Sequence, residues 1–200
     1  FSSLPLPQGN RVAALTIGGG WGVVMADLCE KQGLVVPQLS PELIAKIDRI
    51  LPPYWSRSNP IDLVAEFDPA IPIMIVEELM KWDGCDAIVH MGVLGRMTFF
   101  RFMMDSAVKA DPDYDRKLFA SIPAQVREFE ERFTRHLVGL MDRYGKPIMG
   151  VTLLPDEKTK TVVEIPGYRY KSVAFLTPER TVKCLAELCR YRCWLNRQED

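Results

Sequence analysis

Apolar positions along this chain recur with two periods. Val12 to Ile17 is an apolar run of strand length. Gly18, Gly19, Gly20 and Gly22 follow, interrupted by Trp21. Val23, Val24, Met25, Ala26, Leu28 and Cys29 then continue as a helix that Gly33 stops. Leu34 to Leu39 predicts a second, short strand limited by Pro37. Ser40-Pro41-Glu42 opens a helix that carries Leu43, Ile44, Ile47, Ile50 and Leu51 to Pro52-Pro53. Tyr54 to Leu63 is an irregular loop with an Asn-Pro turn. Asp68-Pro69 starts a helix to about Trp82, and Cys85 to Met91 is a buried strand. Met97 to Ala110 is a helix rich in Phe and Met, Asp111 to Ala120 a polar loop, and Ser121 to Tyr144 a long amphipathic helix. Ile148 to Leu154 is another strand, Thr161 to Ile165 an edge strand or hairpin arm, Ser172 to Leu176 the last strand, and Thr177-Pro178-Glu179 opens the last helix.

Strands alternating with helices predict an α/β fold, a parallel sheet with helices on both faces. A helical insertion follows its central strand. Two hundred residues with net charge −1 suffice for one domain with a substantial core. Near-zero charge argues against nucleic acid or an anionic membrane as partner, and no apolar run reaches the length of a membrane span. FSSLPLPQGN, residues 1–10, reads as a linker from a preceding domain, so the chain is expected to be a piece of a longer protein. The five cysteines contain no C-x-x-C pair, which fits neither zinc nor a disulfide framework. They read as core packing in a reducing, cytoplasmic setting.

In such sheets ligands sit beyond the C-terminal strand ends, where loops enter helices. Two glycine loops have that position: Gly18, Gly19, Gly20, Trp21 and Gly22, and the Met91–Arg96 loop with Gly92 and Gly95. Glycines let backbone approach a ligand, and the first N–H groups of a helix favour an anion. The dinucleotide fingerprint G-x-G-x-x-G fails, because Val23 stands at its third glycine. The expected ligand is therefore a phosphate, a carboxylate or a phosphorylated side chain, with no metal. Arg96 adds a guanidinium suited to bidentate contact. Asn59 and Asp62 lie on a loop that reaches the same edge, and they either touch ligand or simply shape an Asx turn.

Several pieces in order resemble one family. They are Pro7 to Asp27, Gly33-Leu34, Leu39 to Glu42, Leu51 to Pro53, Asn59 to Leu63, Asp86 to Val89, Lys146-Pro147 and Thr177 to Arg180. Together they resemble a flavodoxin-like domain of the NDP-forming acyl-CoA synthetases, relatives of succinyl-CoA synthetase. The match would make residues 11–200 one succinyl-CoA-ligase-like domain with its own insertions near 97–145 and 155–171. The resemblance implies an acyl-CoA ligase that forms an acyl phosphate and phosphorylates a histidine. That phosphoryl group then passes to ADP or GDP. CoA, ATP/ADP or GTP/GDP and Mg would serve the intact protein, with none bound tightly by this fragment. The implied partners are CoA-binding, phosphohistidine-bearing and ATP-grasp domains, and the 97–145 stretch is a candidate homodimer surface. This domain would present glycine loops and helix N-termini to the shared site and hold no catalytic residue itself, so the isolated fragment is expected to be inactive. The rival reading is a non-catalytic acyl-CoA-sensing module, as in protein lysine acetyltransferases. Trp21 departs from the family loop, which commonly carries proline there.

His90, at the end of a central strand, reads as structural rather than as the phosphorylated histidine. His136 reads as solvent-facing or helix-packing. The charged residues Arg127, Glu128, Glu130, Glu131, Arg132 and Arg135 read as one solvated helical face. Tyr54 and Trp55 read as a plug for the sheet end.

Overall fold

A computed structural model of the chain describes residues 2–66, 68–111, 120–155 and 159–199. Its elements run β1 (Val12–Thr16), α1 (Gly19–Lys31), α2 (Pro41–Ile47), β2 (Ile61–Asp62), α3 (Ala70–Lys81), β3 (Ala87–Met91), α4 (Arg96–Ala110), α5 (Ile122–Tyr144), β4 (Ile148–Val151), β5 (Val162–Val163), β6 (Ser172–Phe175) and α6 (Pro178–Glu199). The strands form one sheet in the order β2-β1-β3-β4-β6-β5. Every neighbouring pair is parallel except β5 with β6, so the edge strand predicted at 161–165 closes the sheet antiparallel. Helices cover both faces, with α1 and α6 packed together, and α3 against both α2 and α5. This is the expected α/β architecture. Most of the polar loop expected at 111–120, and part of the 155–171 stretch, lie outside the described residues.

The expected second strand at Leu34–Leu39 is not there. Only Val35 bridges to Arg11, and the edge position beside β1 passes to Ile61 and Asp62. Pro37 supplies no N–H to a ladder. A side chain takes over instead. Asn59 Nδ2 donates to Val12 O at 2.9 Å and to Pro37 O at 3.0 Å, and its Oδ1 accepts from Ala14 N at 2.9 Å. An amide side chain thus does the work of a strand, because every buried backbone donor and acceptor needs a partner.

The core is continuous. Val12 to Leu15, Ile88, Val89 and Met149 from the strands meet Met25, Ile75, Leu79, Phe133 and Met141 from the helices. The 97–145 stretch divides in two. Phe133, Leu137, Val138 and Met141 of α5 are buried against the sheet, while no residue of α4 is buried. Residues 2–10 pack on the domain: Leu4 is buried, and Ser3 and Asn10 carbonyls accept from Lys171 N and Val35 N.

The bottom of the sheet is tied by one ion pair. Asp86 accepts from Arg11 Nη2 at 2.8 Å, Arg11 Nε at 2.9 Å and Arg11 N at 3.0 Å. The carboxylate is nearly buried, and the guanidinium beside it holds its carboxyl below the ordinary Asp value. Asp86→Asn should cost about 2 kcal/mol at neutral pH, measured by urea unfolding, because it discharges the nearly buried carboxylate that accepts three Arg11 hydrogen bonds. The sign follows from the lowered pKa. The pair's stabilisation is complete above the unfolded value near 4 and is lost below it. An Asn variant as stable as the parent at pH 7 would refute this.

Candidate functional site

Three segments meet at the C-terminal edge of the sheet. Thr16, at the end of β1, is in register with both Asp62 of β2 and Met91 of β3. The Gly18–Gly22 loop, Asp62 and the Gly92–Arg96 loop therefore leave the sheet side by side. Ile17 N donates to Met91 O at 3.3 Å, and a β-carbon on Gly92 would stand 2.5 Å from the Ile17 side chain. Asn59 is not with them, because its amide lies further down β1 and is spent on Val12, Ala14 and Pro37.

The two loops start helices in different states. At α1 the N-cap is Gly18 in extended conformation, with no side-chain cap. Trp21 N and Gly22 N both donate to Gly18 O, and Thr16 Oγ1 also donates to that oxygen. The N–H groups of Gly19 and Gly20 have no acceptor among the described residues. These are the orphan donors that every helix start leaves, with the positive end of the dipole behind them. Gly20 faces open space, and a β-carbon there would meet nothing within 4 Å. Gly22 is packed instead, 3.3 Å from Pro60 by the same measure. Trp21 remains 43% exposed at the mouth. Asp62 places a carboxylate oxygen 3.2 Å from where a Gly19 β-carbon would stand, and its other oxygen accepts from Val64 N. The Asp62 carboxylate thus makes the Gly19 side of the turn unfavourable to an anion and leaves the Gly20 side open.

At α4 the anion is already supplied. Glu130 Oε1 of α5 accepts from both Gly95 N and Arg96 N at 2.9 Å. The reading of Glu130 as part of a solvated face is corrected here: it is half-buried and caps α4. The signal was present in the spacing. Glu130 stands four residues after Val126, three before Phe133 and seven before Leu137, on the buried stripe rather than opposite it. Arg96 is engaged within the chain as well. Its Nε donates to Gly92 O at 3.4 Å and its guanidinium lies 5.5 Å from the Phe129 ring centre. Burial lowers its pKa, and the Glu130 charge opposes that. Beside this turn a cleft of about 380 Å³ opens between α4, α5 and β6, lined by Thr98, Glu130, Arg135, Lys160 and Ser172 among others.

The histidines serve packing. His90 is buried in mid-sheet, edge-on to Phe133 at 5.3 Å, and desolvation pushes its pKa down to about 4. His136 Nε2 lies 3.0 Å from Glu77 Oε1, joining α5 to α3. Trp55 is buried and its Nε1 donates to Asp48 Oδ1 at 2.7 Å, whereas Tyr54 is exposed. Cys29 and Cys85 are buried, as core packing predicts, but Cys193 is exposed. Among the described residues no cluster of His, Cys, Asp and Glu suits a metal ion, and no helix is long and apolar enough to cross a membrane.

Comparison with known proteins converges on one family. The model of the Ligase-CoA domain family matches residues 12–110. The alpha subunit of acetate–CoA ligase [ADP-forming] I from Pyrococcus furiosus is 40% identical over 202 residues, covering all of this chain and 37% of that subunit. The alpha subunit of the second such ligase from the same organism is 44% identical over 61 residues, 30% of this chain and 13% of its own length. The chain thus spans little more than a third of these relatives at most. Among solved structures, a Pyrococcus horikoshii protein superposes with a TM-score of 0.64 at 20% identity, covering 93% of this chain and 36% of its own. A dinucleotide-forming acetyl-coenzyme A synthetase from Ca. Korarchaeum cryptofilum, in complex with phosphate and ADP, superposes with a TM-score of 0.60 at 20% identity over 98% of this chain and 37% of its own. The two structures agree on the fold, and the family model over residues 12–110, with the sequence match along the whole of this chain, gives the assignment: the chain belongs to the Ligase-CoA domain family, in the form similar to that of ADP-forming acyl-CoA synthetases.

Proposed function

We propose that this domain serves an ADP-forming acyl-CoA synthetase by presenting the N-terminus of α1 to a phosphoryl group held at a site shared with other domains. The observation that carries the reading is the contrast between the two glycine loops. Glu130 fills the start of α4, while Gly19 and Gly20 offer two unengaged N–H groups at the ligand-binding edge of the sheet. Phosphoryl transfer rests on positioning and charge stabilisation, and a helix start supplies both without a side-chain nucleophile. The phosphoryl group would be carried on a histidine of a neighbouring domain, since His90 is sealed inside the sheet. CoA would supply the thiol acceptor and ADP the phosphoryl acceptor, both with Mg on those other domains; the relatives' names give CoA and ADP.

Gly20 gives a clean test. Gly20→Asp adds a carboxylate where no atom stands within 4 Å, at a helix start where acid favours folding. Incubation of the full-length protein with labelled ATP should give an acid-labile, base-stable phosphoprotein, and G20D should cut that labelling at least about tenfold. Gly20→Ala should leave most of it. Labelling that is equal in parent and G20D would sink the role of this loop. No labelling in the parent, together with acyl-CoA binding, would favour the sensing module instead.

A further inference from the structure

We propose that the cleft between α4 and α5 binds a carboxylic acid with an apolar body, its carboxylate held by the Arg96 guanidinium. The cleft has a volume of about 440 Å³, within the range of small-molecule sites. It lies where three helices begin, with Pro69 just ahead of α3, Arg96 at the first position of α4 and Ile122 at the first of α5. Strands β2 and β3 lead into α3 and α4, so this is the edge of the sheet at which such folds hold ligands. None of Gly18 to Gly22 lines the cleft. It is therefore separate from the α1 start and independent of whether that helix meets a phosphoryl group.

Helical spacing builds the walls. On α5, Ile122, Val126 and Phe129 stand at i, i+4 and i+7 and form one apolar stripe. Phe100 follows Arg96 by four residues, on the same side of α4. Of the charged side chains lining the cleft, Arg96 is half-buried, while Glu128 and Arg132 are exposed at the rim. Those two are four residues apart, so their opposite charges offset each other. The Arg96 guanidinium is fixed in place: the Phe129 ring centre lies 5.5 Å from it, and Nε donates to Gly92 O at 3.4 Å. Its two Nη groups donate to no acceptor among the described residues, and it forms no ion pair with them. Glu130 Oε1 is turned to the backbone N–H groups of Gly95 and Arg96 instead. A planar fork of donors in a half-dry cleft matches a single carboxylate. The apolar walls beyond it match the rest of an organic acid. A phosphate dianion would set two charges against one guanidinium and leave those walls uncovered.

Isothermal titration of the full-length protein with phenylacetate, without ATP or CoA, tests this. The parent should bind phenylacetate. Phenylacetamide, of the same shape but uncharged, should bind at least about tenfold more weakly. Acetate, which lacks the ring, should also bind at least about tenfold more weakly. Arg96→Gln should weaken phenylacetate about 30-fold, and Arg96→Lys less, since an ammonium keeps the charge but not the fork. Phe100→Ala should weaken it about tenfold. Phe100 lies on a helix with no buried residue, so that variant should fold, and the ligand series needs the parent alone. No binding by the parent overturns the proposal. So does equal binding of acid and amide, or of phenylacetate by the parent and a folded Arg96→Gln, which would place the acid elsewhere. Adding ATP and CoA then separates the two sources of such an acid. A reacting acid is consumed, and its KM rises in Arg96→Gln by the same factor as its dissociation constant. An effector is bound and not consumed. Either result, with the binding pattern above, supports the site.

Discussion

Replacing Gly95 with alanine should destabilise the domain by about 3 kcal/mol. Two costs add. Gly95 has φ +81°, in the left-handed region that costs an L-residue about 1–2 kcal/mol. A β-carbon there would also stand 2.4 Å from Thr152 Cγ2 and 2.9 Å from Leu153 N. Leu153 N cannot yield easily, since it donates to Leu94 O at 2.8 Å. Overpacking of this kind costs about 1–3 kcal/mol more. Gly145 provides the internal control. It has φ +67° but nothing within 4 Å of an added β-carbon, so Gly145→Ala should lose only the backbone cost, about 1 kcal/mol. Urea unfolding of both variants checks the order. Equal losses would show that close contact at Gly95 contributes nothing. The glycines of the Met91–Arg96 loop are thus explained by positive φ and by the close approach of Ile17 at Gly92 and of the segment after β4 at Gly95, without a ligand.

The second large effect is a pH dependence carried by His90. The imidazole is fully desolvated between Gly150 and Phe133, and its pKa falls from 6.5 to about 4. A histidine whose folded pKa is lowered resists protonation in the native state but not in the unfolded chain. Its contribution is therefore intact above pH 6.5 and is lost as pH falls from 6.5 toward 4. At 1.36 kcal/mol per pH unit, that loss reaches about 3 kcal/mol. Asp86 acts in a separate window, below about pH 4, so the two contributions can be told apart. Unfolding midpoints measured in urea between pH 8 and pH 4 should decline for the parent, and His90→Leu should flatten that decline. A parent with a level profile, or a variant that keeps the slope, would refute the assignment.

Much of this domain can be read from residues alone. The apolar run at 12–16, the glycine turn, the helix starts at Ser40 and Asp68 and the stop at Gly145 act through neighbours in sequence. Ser40 Oγ caps α2 by accepting from Leu43 N, and Asp68 Oδ1 accepts from Ala70 N in an Asx turn that leads into α3. Local chemistry of that kind survives without tertiary context. The resemblance likewise rested on motifs in order, and the family assignment follows them.

Three features depended on parts of the chain far apart in sequence. The edge strand moved from Leu34–Leu39 to Ile61–Asp62, because Asn59 reaches back 45 and 47 residues to bond Ala14 and Val12. Spacing alone identifies Asn59 as a turn residue, not as the substitute for a strand. The two glycine loops look alike in sequence, yet Glu130 satisfies one of them from 35 residues away. Which helix start has its first N–H groups satisfied within the fold is thus settled by a carboxylate on another helix. The apolar stripe of α4, finally, has the composition of a core helix and no core to enter. The sequence by itself determined the periods, the caps and the order of strands and helices, since each depends on hydrogen bonds and side-chain direction within a few residues. Tertiary structure alone decided which polar groups are spent inside the fold and which remain for a partner, because that depends on what lies opposite.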